Sequence, residues 1–160
     1  MADPVWLSAA RKYLGTREVH GAGTSPLILK WLTNLGAWWR DDETPWCGVF
    51  VAEVMKECGV IPPKAYYRAK SWATWGAPLG VPTLGSVVVF DRVGGGHVAL
   101  AVGMTAKGLL LCLGGNQGDE VCIRAFDPAR AVAYRWPDGF AWPGEKLPTL
   151  ASVEESRSEA

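Results

Sequence analysis

The sequence predicts a single α+β domain, with helices in its first half and an antiparallel sheet in its second. Two observations point there. As far as Gly76, apolar residues recur at helical spacing behind Asp-Pro, Ser-Pro and Thr-Pro pairs, and after Pro82 short β-branched and apolar runs alternate with glycine-rich turns. No internal repeat or linker divides the 160 residues. At that length folding buries roughly 70% of the unfolded surface without help from metals or disulfides.

The elements follow in order. Asp3 and Pro4 open a first helix that presents Trp6, Ala9, Ala10 and Tyr13 and stops at Gly15. Ser25 and Pro26 open a second, which carries Leu27, Ile28, Trp31, Leu32 and Leu35 as far as Gly36. Thr44 and Pro45 open a third, running from Trp46 to Cys58 and ending at Gly59 ahead of Pro62 and Pro63. A shorter helix covers Ala65 to Trp75. About five strands are expected, at Ser86 to Phe90, His97 to Thr105, Leu109 to Leu113, Val121 to Ala125 and Val132 to Trp136, arranged as an antiparallel meander. Residues 1–144 form the domain, and 145–160 read as a polar tail, disordered from Ser152.

Sixteen basic and sixteen acidic residues cancel, a balance that argues against a dedicated nucleic-acid binder. Met1-Ala2-Asp3-Pro4 has neither the basic nor the apolar region of a secretory signal. No apolar run nears the ~18 residues of a membrane span. The expectation is therefore a protein made in the cytoplasm. In that reducing setting Cys47, Cys58, Cys112 and Cys122 are expected as thiols, and with no CxxC pair among them neither a metal nor a cofactor is expected. The outlying feature is nine tryptophans. Trp6 and Trp31 fall on core faces of helices. Trp46, beside Cys47, and Trp72 with Trp75 either join the core or wall a groove.

Cys47 leads the residues capable of chemistry. With Thr44 as the cap it is the third helical residue, facing unpaired N–H groups and the positive end of the helix dipole, which favour a thiolate. The same N–H groups suit an oxyanion. The plain alternative is a small buried hydrophobe. Cys58 lies at the wrong end of the helix, and Cys112 and Cys122 read as core residues of strands. A thiol needs a base, and there are two histidines. His97 follows Gly94-Gly95-Gly96 and opens a strand at the sheet rim, unless it is merely a surface turn residue; His20 lies in a loop. Asn116, in Leu-Gly-Gly-Asn-Gln, is either the third group that orients the imidazole or a turn asparagine. Asp42 and Glu43 are either solvated loop acids or groups that orient His97 or hold a cationic group of a peptide ligand.

Trp-Cys at a helix start, Gly-His-Val opening a strand and Gly-Gly-Asn-Gln ending a later one together resemble the NlpC/CHAP superfamily of cell-wall cysteine peptidases. The resemblance runs from Leu14-Gly15 and Glu18 through Asp41 to Cys47, Ala69 to Gly76, Gly85 to Phe90 and Gly96 to Ala99. It implies a papain-like fold, with the nucleophile at a helix N-terminus packed on the sheet. Cys47 then matches the nucleophile, His97 the base and Asn116 the polar third residue. Asp42, Glu43, Trp46, Trp72 and Gln117 are the candidates for contact with the substrate, and no cofactor is expected.

The implied activity is hydrolysis of an amide bond in the peptidoglycan stem peptide, such as the D-glutamyl–diamino acid bond. The alternative is an amidase cutting between the sugar and the first alanine. Two rivals from other classes are a non-catalytic wall-binding module, motivated by the tryptophans, and an intracellular thiol enzyme, motivated by the missing signal. Within the resemblance, the missing signal suits a phage lysin released by a holin or an antibacterial effector delivered to the wall. Such a protein would act as a monomer, with a holin or an immunity protein as its expected partner and no membrane insertion.

Overall fold

The computed structural model describes residues 2–19, 23–42 and 44–150. Three α-helices come first: α1 (Val5–Arg11), α2 (Pro26–Leu35) and α3 (Cys47–Glu57). A 3-10 helix (Ala69–Thr74) leads into β1 (Ala77–Leu79), β2 (Val87–Arg92), β3 (Gly95–Met104), β4 (Leu110–Gly114) and β5 (Cys122–Phe126). A 3-10 turn (Pro128–Arg130) then precedes β6 (Ala131–Trp136). The fold class is α+β, as expected. The sheet has six strands in the order β1-β6-β2-β3-β4-β5, every neighbouring pair antiparallel. The expected meander therefore holds only from β2 to β5. β6 returns to pair with β2, and the three-residue β1, which contains Pro78, lies outside it. None of the helices among the described residues is long and apolar enough to cross a membrane.

α2 follows its sequence signals. Ser25 Oγ accepts from Ile28 N–H at 3.4 Å, Pro26 takes the first position and Gly36 ends the helix at φ +71°. α1 departs from them, because Asp3 forms an ion pair with Arg11 at 2.6 Å and caps nothing. Trp6 anchors α1 by donating to the Gly85 carbonyl at 2.7 Å and meeting Trp136 edge to face at 5.0 Å. α3 is the central helix: every residue from Cys47 to Met55 is buried, among α1, α2, β3 and β4. Such all-round burial is what a helix apolar on nearly every side requires.

The sheet is strongly curled. β5 and β6 are four strand positions apart in the sheet, yet only residues 127–130 connect them. Phe126 of β5 stacks on Phe90 of β2 with centroids 4.4 Å apart, whereas three strand spacings in a flat sheet would separate them by about 14 Å. Register shifts at Val89/Phe90 and between Ala101 and Gly103 supply local bends. Alternate residues consequently serve two cores. Val87, Val89, Val98, Leu100, Val102, Leu111 and Leu113 face the helices. Val88, Phe90, Ala99, Ala101, Leu110, Cys112 and Phe126 fill the concave side, where Met104, Tyr134 and Leu147 pack against them.

Leu147 belongs to the segment read as the start of a polar tail. That segment runs along the end of β3: Met104 N–H donates to the Pro148 carbonyl and Leu150 N–H to the Met104 carbonyl, both at 2.9 Å. Gly103 permits this, since a Cβ there would lie 2.5 Å from Leu150 Cδ1. The stretch expected to be disordered, 152–160, lies outside the described residues.

Glu53 is the one acid buried within α3. It accepts from Asn34 Nδ2 at 3.3 Å, and its neighbour Glu57 accepts from the Tyr13 hydroxyl at 2.6 Å. Burial first, then Glu57, pushes the Glu53 carboxyl up to about 7, against the opposing pull of Asn34 and Lys56. An unfolded glutamate titrates near 4.3. Between those values the folded state holds the extra proton, so stability falls as pH rises through that window and is level above it. Glu53→Gln keeps an acceptor for Asn34 and removes the ionisation. The variant should gain about 1–3 kcal/mol over wild type at pH 8 and nothing at pH 4, checked by thermal melts at both.

Candidate active site

The loop before α3 differs from the sequence expectation in a way that moves the thiol. Thr44 caps nothing, because its N–H and its hydroxyl both donate to Asp41 Oδ1, each at 2.8 Å. The helix starts one residue after Trp46, which makes Cys47 its first residue instead of its third. Phe50 N–H closes the first turn on the Trp46 carbonyl at 2.9 Å. The N–H groups of Cys47, Gly48 and Val49 are the ones intrahelical bonding leaves over. Burial raises the Cys47 thiol pKa, yet the hydrogen bond and charge of His97, with the Val98 and Gly48 N–H groups, outweigh it. The net direction is down from the ordinary cysteine value.

His97 belongs to β3, which begins two residues earlier than expected, at Gly95. It pairs with Phe90 across the sheet. Its ring lies nearly parallel to Phe126 and Phe90, with centroids at 5.6 and 6.3 Å. The imidazole is fully buried, so His97 is not the surface turn residue that was its alternative reading. Gly96 lets the chain pass, since a Cβ there would sit 3.0 Å from both the Phe90 carbonyl oxygen and Lys70 Cγ.

The partner of His97 Nε2 is Gln117, whose Oε1 lies 2.9 Å away. The amide orientation is settled by its other end: Gln117 Nε2 donates to the Cys122 carbonyl at 2.7 Å and the Cys112 carbonyl at 3.3 Å. Oε1 therefore faces the ring, Nε2 of the imidazole carries the proton it donates there, and Nδ1 is the nitrogen left for the thiol. Two glycines make room for this. A Cβ on Gly114 would meet Gln117 Oε1 at 2.5 Å, and one on Gly115 would meet the Trp46 ring at 2.8 Å and Phe50 Cβ at 2.7 Å.

Several sequence-based positions are corrected here. The place against His97 Nε2, expected for Asn116, is held by Gln117, which sequence reasoning had put beside the substrate. Asn116 is the turn residue, at φ +59°, a left-handed conformation that asparagine tolerates. Trp46 is buried and its Nε1 donates to Glu18 Oε1 at 3.0 Å. Trp72 is buried and donates to the Tyr66 carbonyl at 3.0 Å. Neither walls a groove. Asp42 is also buried, accepting from the backbone N–H groups of Val19 at 2.6 Å and Ser25 at 2.7 Å, and so pins one loop to another. His20 and Glu43 lie outside the described residues. The Val98 N–H at the sulfur was not foreseen, and backbone donors carry no side-chain signal by which a sequence reveals them.

Thiol chemistry differs sharply among the cysteines. Burial raises Cys58, with the Glu57 charge adding to it, and burial alone holds Cys112 well above the usual value. Limiting iodoacetamide at pH 7 should therefore modify Cys47 ahead of both. Peptide mapping that finds Cys58 or Cys112 labelled first would refute the ordering. Among the described residues, no three His, Cys, Asp or Glu side chains gather as a metal site requires. No family model matches the chain, and no curated protein matches its sequence.

Proposed function

We propose that this chain is a thiol hydrolase of papain-like organisation, acting on an amide bond of the peptidoglycan stem peptide. One observation carries the reading: a thiol of lowered pKa on the first turn of a buried helix, coupled to an imidazole whose far nitrogen is held by an amide. That arrangement is what a cysteine nucleophile needs. The substrate class comes from the resemblance of the Trp-Cys, Gly-His-Val and Gly-Gly-Asn-Gln motifs to cell-wall cysteine peptidases.

The chemistry runs in two halves. His97 Nδ1 takes the Cys47 proton, and the thiolate attacks the amide carbonyl carbon. The resulting oxyanion meets the first-turn N–H groups of α3. The C–N bond then breaks, with the nitrogen taking the proton from His97 Nδ1. A water gives its proton to the same Nδ1, attacks the thioester and releases the acid, returning the thiol. Gln117 stays hydrogen-bonded to Nε2–H throughout, so the ring neither flips nor changes tautomer.

The test is digestion of purified sacculi by wild-type protein and by Cys47→Ala, with mass spectrometry of the soluble products. New termini within the stem peptide, absent with Cys47→Ala, are the expected result. Release of the intact stem from the sugar would place the cut at the amidase bond. No soluble products from the wild type would refute the wall as its substrate.

A further inference from the structure

We propose that Trp38, Trp39, Tyr67 and Arg68 form a subsite beside Cys47 for a sugar ring of a carboxylate-bearing glycopeptide, an inference that rests on the hydrolase reading above. The segment that carries Tyr67 and Arg68 packs on the helix of the thiol through its backbone. The Tyr66 carbonyl presses on Gly48, where a Cβ would lie 2.0 Å from the Tyr66 oxygen and 3.3 Å from the Tyr67 carbonyl carbon. From there Tyr67, partly exposed, meets the buried Trp39 edge to face at 5.4 Å, and Trp39 backs Trp38 at 5.0 Å. Trp38 is 84% exposed.

A lone exposed apolar side chain is ordinary, but an exposed indole backed by packed aromatic rings, with an arginine over one of them and the thiol's helix against the same segment, marks a place where something binds. Its charge selects the occupant. Between Cys58 and Phe90 the sequence has Lys64, Arg68 and Lys70 and not one acid. Lys70 is paired with Asp91 at 2.8 Å, whereas the Arg68 guanidinium lies over the Tyr67 ring at 5.8 Å. An indole face suits the C–H face of a pyranose, and an arginine suits a carboxylate. A stem peptide still joined to its sugar offers both groups, and a free stem peptide only the second.

The experiment measures binding in the Cys47→Ala background, with a disaccharide–tetrapeptide and the same tetrapeptide lacking the sugars as probes. Trp38→Ala should reduce the preference for the sugar-bearing probe, the ratio of the two Kd values, by about tenfold. Arg68→Gln should weaken both probes several-fold. An unchanged ratio in Trp38→Ala overturns the subsite, as does failure of the disaccharide–tetrapeptide to bind at all. Sacculus turnover by the Cys47-containing protein separates the two ideas. Turnover with an unchanged ratio removes the subsite alone, and a shifted ratio without turnover removes the hydrolysis alone.

Discussion

Cys47→Ala should abolish the proposed hydrolysis to background while leaving the fold intact. The side chain is 5% exposed and small, so its loss opens little space in the core. What it removes is the bond-forming atom of the proposed mechanism, and Cys112 is no replacement, being buried in β4 with its thiol held protonated. His97 should be worth nearly as much, because in the proposed mechanism the same nitrogen ionises the thiol and protonates the leaving amine, and residues acting as a unit lose most of the rate when either is removed. The two substitutions differ in stability. His97 is fully buried against Phe90 and Phe126 and holds Gln117, so His97→Ala leaves both a void and an unsatisfied amide, a cost of about 2–4 kcal/mol. His97→Asn, which retains a polar partner, is the companion variant in which lost turnover and lost folding are told apart. Both should be assayed on sacculi beside a thermal melt. Turnover surviving in folded Cys47→Ala would remove the thiol from the mechanism.

The parts of this architecture that sequence reveals are those set by short-range backbone chemistry. Ser25-Pro26 and Gly36 bracket α2 because a hydroxyl, a proline and a left-handed glycine each act within one turn. The same reasoning failed at Thr44, whose hydroxyl found Asp41 Oδ1 nearer than the helix, and the start of α3 moved as a result. Cys47 and His97 could be picked out because a helix N-terminus and a glycine-rich strand entry are local features. Trp46 and Trp72 were misplaced for the opposite reason. Whether an indole is core or wall depends on what packs over it, and Gly115, which lies against Trp46, comes from a distant part of the chain. The curl of the sheet is likewise nonlocal, since it becomes evident only once β6 is seen to pair with β2 and Phe126 to reach Phe90. Two adjacent amides, Asn116 and Gln117, look alike at this level, and the backbone turn between them decides which one reaches the imidazole.

That turn makes the second large effect a discriminating one. Gln117→Ala should cut kcat by roughly a hundred- to a thousandfold with KM little changed, because the residue touches His97 and not the substrate. The loss has two sources: the imidazole no longer has a fixed tautomer, and the carbonyls of Cys112 and Cys122 lose their common donor. The latter should also lower stability by about 1–3 kcal/mol. Gln117→Glu separates these effects. It preserves the acceptor for Nε2–H but turns its second oxygen toward the two carbonyls, so it should melt lower than wild type although the ring keeps a partner. Gln117→Asn is one methylene short of spanning from His97 to the Cys122 carbonyl and should resemble the alanine variant. Asn116→Gly, by contrast, accepts the left-handed backbone at φ +59° without strain and should retain activity within about tenfold. If Asn116→Gly loses turnover while Gln117→Ala keeps it, the orienting group is Asn116, and the 2.9 Å contact to Gln117 is a packing feature of the buried ring.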